Sequence, residues 1–179
     1  VNIYGHIKHA TEELEPIFSE KNMIDNDVII AAIRSSWIYI HKYIKNINPM
    51  WTNHFNDRLN CIKALEIMIT KDMLTDTLRA YERLKNERIV KSYMMIYIGL
   101  MQSLLVFNKP FEESCDICQG DLYYYTNLTE NILIKECNTC STWYDSKTGE
   151  SLQGNRESIL RPTTRFELIY AELYRETRD

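Results

Sequence analysis

At 179 residues, with 45% hydrophobic and 26% charged residues, the chain can hold one domain with a sizeable core, or one domain and a small appendage. A formal charge of −4 excludes a general cationic field that draws in nucleic acid and leaves for that purpose a local basic face or a partner that supplies one. No stretch approaches the roughly 18 consecutive apolar residues of a membrane span. The first 30 residues carry acids and histidines rather than a basic start and an apolar run, so a cytoplasmic protein without signal peptide or membrane contact is expected.

Punctuation residues divide the chain. Between Ile17 and Asn108 there is one proline, Pro49, and one glycine, Gly99, whereas three of the five glycines lie between Cys118 and Asn155. The first part therefore reads as helical and the later part as turns and short strands. Near the N-terminus, His6 and His9 are three residues apart and could share a helix face, but a solvated or frayed terminus is the expectation. Asp25 or Asn26 caps a helix with Val28, Ile29, Ile33, Trp37, Ile40 and Ile44 on one stripe, ending before Pro49. A second helix is expected from about Asn53 to Ile69. A third carries Leu74, Leu78, Tyr81 and Leu84, and a fourth Ile89, Tyr93, Ile96, Tyr97, Leu100 and Leu104. Pro110 ends the fourth.

Cys115-Asp-Ile-Cys118 and Cys137-Asn-Thr-Cys140 follow, two C-x-x-C pairs separated by 18 residues. Each pair makes a tight turn presenting two sulfurs, and the interval is long enough for a β-hairpin that brings the turns together. This is the spacing of a closed four-thiolate zinc site, in which all four coordination positions are filled by protein, so one structural Zn²⁺ is expected. Asp121 to Thr126 and Ile132 to Glu136 read as the two strands, with Asn127–Asn131 as the turn, and Trp143-Tyr144 as a third strand. Gly120 suits the positive φ that a knuckle turn needs. The fifth cysteine, Cys61, is left over, and an odd count fits a reducing compartment better than a disulfide framework. After a polar segment, Asp145 to Glu157, a last helix follows Pro162 with Phe166, Ile169, Tyr170 and Leu173 on one face.

The expected fold is mainly α: a helical bundle (1–110), a C-terminal Cys₄ zinc ribbon with a small β-hairpin (111–145), and a linker with a closing helix that packs back on the bundle (146–179).

Function is less direct. His41 and His54 have no partner at a recognisable spacing, and no nucleophile–base pair or phosphate-binding glycine loop occurs, so no catalytic activity and no small-molecule substrate are expected. Arg79, Arg83, Lys85 and Arg88 cluster on and after the third helix, as a phosphate-contacting edge would require, although Asp76, Glu82 and Glu87 are interspersed. Residues 141–179 hold six Lys/Arg against seven Asp/Glu and form no basic tail. The chain has 12 tyrosines and three tryptophans. Those of the ribbon, Tyr123, Tyr124, Tyr125 and Trp143, alternate faces and are candidates for a partner interface.

The stretch from Ala31 to Cys140 resembles the zinc-binding FlhC family, subunits of bacterial flagellar master activators and of related activators carried by conjugative elements. The resemblance is carried by the run Ser35 to Lys45, by Trp51, by Ala80-Tyr81 ahead of a long apolar helix, and by Cys115-x-x-Cys118-x-Gly120 with Cys137 and Cys140. It implies a transcription activator subunit that binds DNA together with a small helical FlhD-like partner. An alternative of a different class, drawn from the acidity and the tyrosines, is an immunity protein that binds and neutralises a basic nuclease toxin.

Overall fold

The computed structural model describes residues 2–19, 25–154 and 157–174. Among these the chain is mainly α, with seven α-helices and a five-stranded antiparallel sheet. It divides into two compact units, one of residues 1–65 and 77–102, the other of residues 66–76 and 103–179. This differs from the expected boundaries, because 66–76 joins the later part of the chain.

In the first unit the described chain begins helically, with His9 exposed to solvent. Helix α1 (Ile3–Glu13) starts at Asn2, whose side chain accepts from the Gly5 N–H, and α2 (Glu15–Ser19) follows. Both pack on α3 (Asn26–Lys45), which is capped by Asp25, the first of the two expected candidates. The buried stripe of α3 is Ile29, Ile33, Ser36, Trp37, Ile40 and Ile44, whereas Val28 points to solvent. Ser36 is satisfied inside the core, donating to the Ala10 carbonyl at 2.7 Å and accepting from the Tyr97 hydroxyl at 3.0 Å.

Helix α4 spans Pro49–Cys61, not Asn53 to Ile69. Asn48 caps it through the Trp51 N–H and Pro49 occupies the first turn, where its missing N–H costs nothing. Ile62 is extended and ends it. Arg34 donates to the Leu59 carbonyl at 2.9 Å, a cation at the negative end of the helix. The chain then passes through a 3₁₀ turn (Ala64–Glu66).

Helix α5 (Lys71–Asn86) buries Met73, Thr77, Tyr81 and Leu84, while Leu78 of the expected stripe is 40% exposed. Helix α6 (Val90–Leu105) buries a broad face from Tyr93 to Leu105, and Ile89, expected on that face, precedes the helix and is exposed. Glu87 ties the entry to α6, accepting from the Arg88 and Ile89 N–H groups ahead of the helix and from the Ser92 hydroxyl. The division between the units falls within α5 and α6.

The second unit is built on the sheet. Strands β1 (Leu122–Asn127) and β2 (Ile132–Cys137) form the expected hairpin, β3 (Trp143–Asp145) adds to β2, and the order is β4-β3-β2-β1-β5. Strands β4 (Ser151–Leu152) and β5 (Leu160–Pro162) lie where a linker was expected, so the sheet is larger than a hairpin.

Antiparallel register places Leu122 opposite Cys137, and Tyr124, Lys135 and Tyr144 in one row. Period-2 alternation puts all five side chains on the same face. That face carries two buried clusters. One is Met68, Met73, Phe107, Tyr124 and Leu168; the other is Cys115, Leu122, Cys137 and Tyr144.

Helix α7 is short (Arg165–Tyr170) and opens with a capping box between Thr164 and Glu167. Its buried residue is Leu168; of the expected face Phe166, Ile169 and Tyr170 are exposed, while Leu173, beyond the helix end, packs against the cluster that holds Leu168. Arg161 pairs with Glu167 of the helix at 2.6 Å. Since Leu168 packs with Phe107 and Tyr124, the closing helix belongs to the sheet unit.

Candidate metal centre

The two C-x-x-C turns are near copies of each other. In each, the residue after the second cysteine adopts positive φ, 60° at Gln119 and 57° at Ser141. Its N–H returns to the carbonyl of the first cysteine, Gln119 to Cys115 at 2.8 Å and Ser141 to Cys137 at 3.0 Å. The first cysteine's own N–H then bonds across, Cys115 to the Gly120 carbonyl at 2.8 Å and Cys137 to the Thr142 carbonyl at 2.9 Å. These bonds close each turn and aim its sulfurs to one side.

Positive φ therefore falls at Gln119, one residue before the glycine expected to need it. Gly120 serves a different purpose. A Cβ there would lie 2.6 Å from the Thr139 Oγ1 and 3.1 Å from the Cys137 Sγ, so the absent side chain lets the two turns approach.

The hairpin brings all four Sγ atoms of Cys115, Cys118, Cys137 and Cys140 within 4.8 Å of one another. Cys115 and Cys140 are 3.5 Å apart, and Cys118 and Cys137 3.4 Å. A tetrahedron with metal–sulfur bonds of about 2.3 Å has edges of about 3.8 Å. The four cysteines thus form a cluster of the size that can hold one metal ion, and all four corners come from the protein.

The surroundings favour the thiolate at Cys115 and Cys140. Burial raises the Cys115 thiol, but the Tyr144 hydroxyl at 3.1 Å and the Cys118 and Ile117 N–H groups outweigh it and bring it down to about 6. The Thr142 hydroxyl, 3.1 Å from Cys140, and the Thr142 N–H lower that thiol too. The Gly120 N–H lowers Cys118, yet the crowding sulfurs of Cys137, Cys140 and Cys115, together with burial, push it up to about 12. Tyr144 is pushed up to about 12, first by its bond to Cys115, and stays protonated as a donor. Four sulfurs that share protons and receive hydrogen bonds from N–H and O–H groups are a donor set for a soft cation.

Sequence reasoning found the four sulfurs and missed Tyr144, Gln119, Ser141 and Thr142. The repeated position one past each second cysteine was a usable signal for the paired αL residues. Nothing local marked Tyr144, which reaches Cys115 only through strand register.

The other candidates are dispersed. Arg79, Arg83, Lys85 and Arg88 are all exposed, with Lys85 paired to Glu82 at 2.8 Å. Tyr123 and Tyr124 are 3% and 0% exposed and cannot offer an interface as expected. The Tyr123 hydroxyl bonds Ser103 at 2.7 Å. The Tyr124 hydroxyl donates to the Glu113 carboxylate, which also pairs with Lys109 and Lys135, and it is held above the ordinary tyrosine range by burial and that carboxylate. Tyr125 and Trp143 are half-buried, the latter with its ring 3.2 Å from where a Cβ on Gly154 would stand. His6 lies against Tyr39 and Tyr43, and His9 lies against Tyr39 and faces Glu12. Cys61 is exposed and outside the cluster. Among the described residues no helix is long and apolar enough to cross a membrane.

Comparison with protein-family models, curated proteins and solved structures finds no match to this chain.

Proposed function

We propose that the chain is a zinc-stabilised regulatory subunit of a bacterial transcription activator, which binds DNA together with a small helical FlhD-like partner. Cys115, Cys118, Cys137 and Cys140 would hold one Zn²⁺. With four thiolates and no open position, the ion supplies folding energy rather than catalysis. The reading is that of a helical bundle followed by a zinc ribbon, as the resemblance over Ala31 to Cys140 implies.

The observation that carries the DNA part is the exposure of Arg79 and Arg83, one turn apart on α5, followed by exposed Lys85 and Arg88. Exposed cations at that spacing can neutralise successive phosphates even on an acidic chain. The alternative, an acidic immunity protein for a basic toxin, draws on the acidity and the abundant tyrosines, those of the ribbon among them. With Tyr123 and Tyr124 buried it keeps less support.

The test is affinity purification of the tagged chain from its native host, with co-purifying proteins identified by mass spectrometry and bound DNA sequenced. The activator reading expects a small helical partner and recurrent promoter fragments. It also expects Arg79→Glu/Arg83→Glu to lose the DNA while keeping zinc and partner. DNA retention unchanged by the double reversal removes those arginines from the argument. A basic toxin recovered in a one-to-one complex, without DNA, overturns the reading.

A further inference from the structure

The four sulfurs are not equivalent. Cys115 and Cys137 are 0% and 1% exposed, whereas Cys118 and Cys140 face solvent. Hydrogen bonding divides them again. Cys115 receives the Tyr144 hydroxyl at 3.1 Å and two backbone N–H groups, from Ile117 and Cys118. Cys140 has the Thr142 hydroxyl and N–H. Cys137 has the Thr139 N–H at 3.4 Å. Cys118 has the Gly120 N–H, with no hydroxyl donor. Hydrogen bonds draw charge off a thiolate and weaken it as a nucleophile, and burial blocks the approach of a reagent. Burial leaves only Cys118 and Cys140 accessible, and of these two the Thr142 hydroxyl stands beside Cys140, so the two effects together single out Cys118.

We infer that Cys118 is the reactive corner of the centre, a modification site for small soft electrophiles, and that Tyr144 is the positioning residue that keeps Cys115 inert. This rests on the zinc reading above. In the zinc-loaded chain the Cys118 sulfur would be held deprotonated as a ligand and would attack the electrophilic carbon of an alkylating agent: a sulfur–carbon bond forms, and halide leaves with the bonding pair. The product is a neutral thioether, a poorer ligand than a thiolate, so modification at Cys118 opens the centre. The ribbon then has a chemical point of entry on its solvent side and a closed side beneath Tyr144.

The experiment uses the full zinc-loaded chain carrying Cys61→Ser, which removes the one cysteine outside the cluster. It is treated with substoichiometric iodoacetamide. Modification at each cysteine is followed by peptide mass spectrometry, and zinc release with a chromogenic chelator. The expected result is that Cys118 is alkylated at least about tenfold faster than Cys115, the factor one hydrogen bond to a charged group is worth. Zinc release should follow Cys118 modification. Tyr144→Phe, which keeps the ring and removes the hydroxyl, should raise the Cys115 rate several-fold and leave the Cys118 rate unchanged. Equal rates at the four cysteines, or Cys115 reacting first, overturn the inference while the zinc reading stands. A purified chain without stoichiometric zinc overturns both. Should Tyr144→Phe fail to hold zinc, the rate order in the Cys61→Ser chain still decides.

Discussion

Gln119 and Ser141 occupy equivalent left-handed positions, φ 60° and 57°, one residue past the second cysteine of each pair. Neither is glycine, so both turns hold an L side chain in a conformation that costs free energy, and the N–H that each returns to its knuckle carbonyl fixes it there. A β-branched residue at such a position is worse still. Ser141→Val should lower stability by about 1–3 kcal/mol, while Ser141→Gly should be neutral or stabilising by less than about 1 kcal/mol. Urea unfolding of the zinc-loaded chain gives the order. A Val variant as stable as wild type would show that the turn does not need the αL conformation.

Metal removal should act locally. Structural zinc sites bind with roughly 10–16 kcal/mol at neutral pH, more than a short hairpin can replace by packing. On treatment with a strong chelator, amide hydrogen exchange across Leu122–Cys137 should rise to near that of an unfolded chain, while the interior of α3, Asn26–Lys45, stays protected. Inductively coupled plasma mass spectrometry should find one zinc per chain. Iron in its place would alter the cofactor and leave the four ligands.

The face that α7 buries can be tested by truncation. Leu168 is fully buried against Phe107 and Tyr124, so Leu168→Ala should cost about 2–5 kcal/mol. Phe166 and Tyr170 are 60% and 93% exposed, and their alanine variants should lie within about 0.5 kcal/mol of wild type. Large losses at Phe166 and Tyr170 with none at Leu168 would restore the face read from periodicity.

Acid should weaken the attachment of α7. Burial raises the Glu167 carboxyl, but the Arg161 guanidinium and the Thr164 N–H and hydroxyl prevail and hold it at about 2, below its ordinary 4.5. A depressed folded-state value means that the unfolded chain takes up the proton first as pH falls. The contribution of Glu167 is therefore complete above pH 4.5 and is lost progressively between 4.5 and 2. Thermal unfolding across that range should show a steeper fall in wild type than in Glu167→Gln. Parallel curves would mean that the ion pair with Arg161 does not hold in solution.

Much of this protein could be read along the chain. The four cysteines, their pairing into turns, the hairpin between them and a helix cap at Asp25 or Asn26 all follow from short-range rules of spacing and turn chemistry. These rules act within a few residues, so no knowledge of the rest of the chain is needed.

Errors arose where local preference was weaker than a distant partner. Val28 and Leu78 fit apolar stripes but lie exposed, because which side of a helix is buried depends on what packs there, and Ile89 lies exposed because α6 starts only after it. Helix α4 began early because Asn48 and Pro49 make a starting signal stronger than the apolar run read beyond Asn53.

The composition and order of the chain determined that four sulfurs would meet and that helices would precede strands. Tertiary structure alone decided that Tyr144 would stand over Cys115, that Tyr123 and Tyr124 would be core rather than surface, and that β4 and β5 would extend the sheet. The physical reason is register. An antiparallel ladder sets, through hydrogen bonds between strands far apart in sequence, which side chains share a face, and no residue on one strand carries that information by itself.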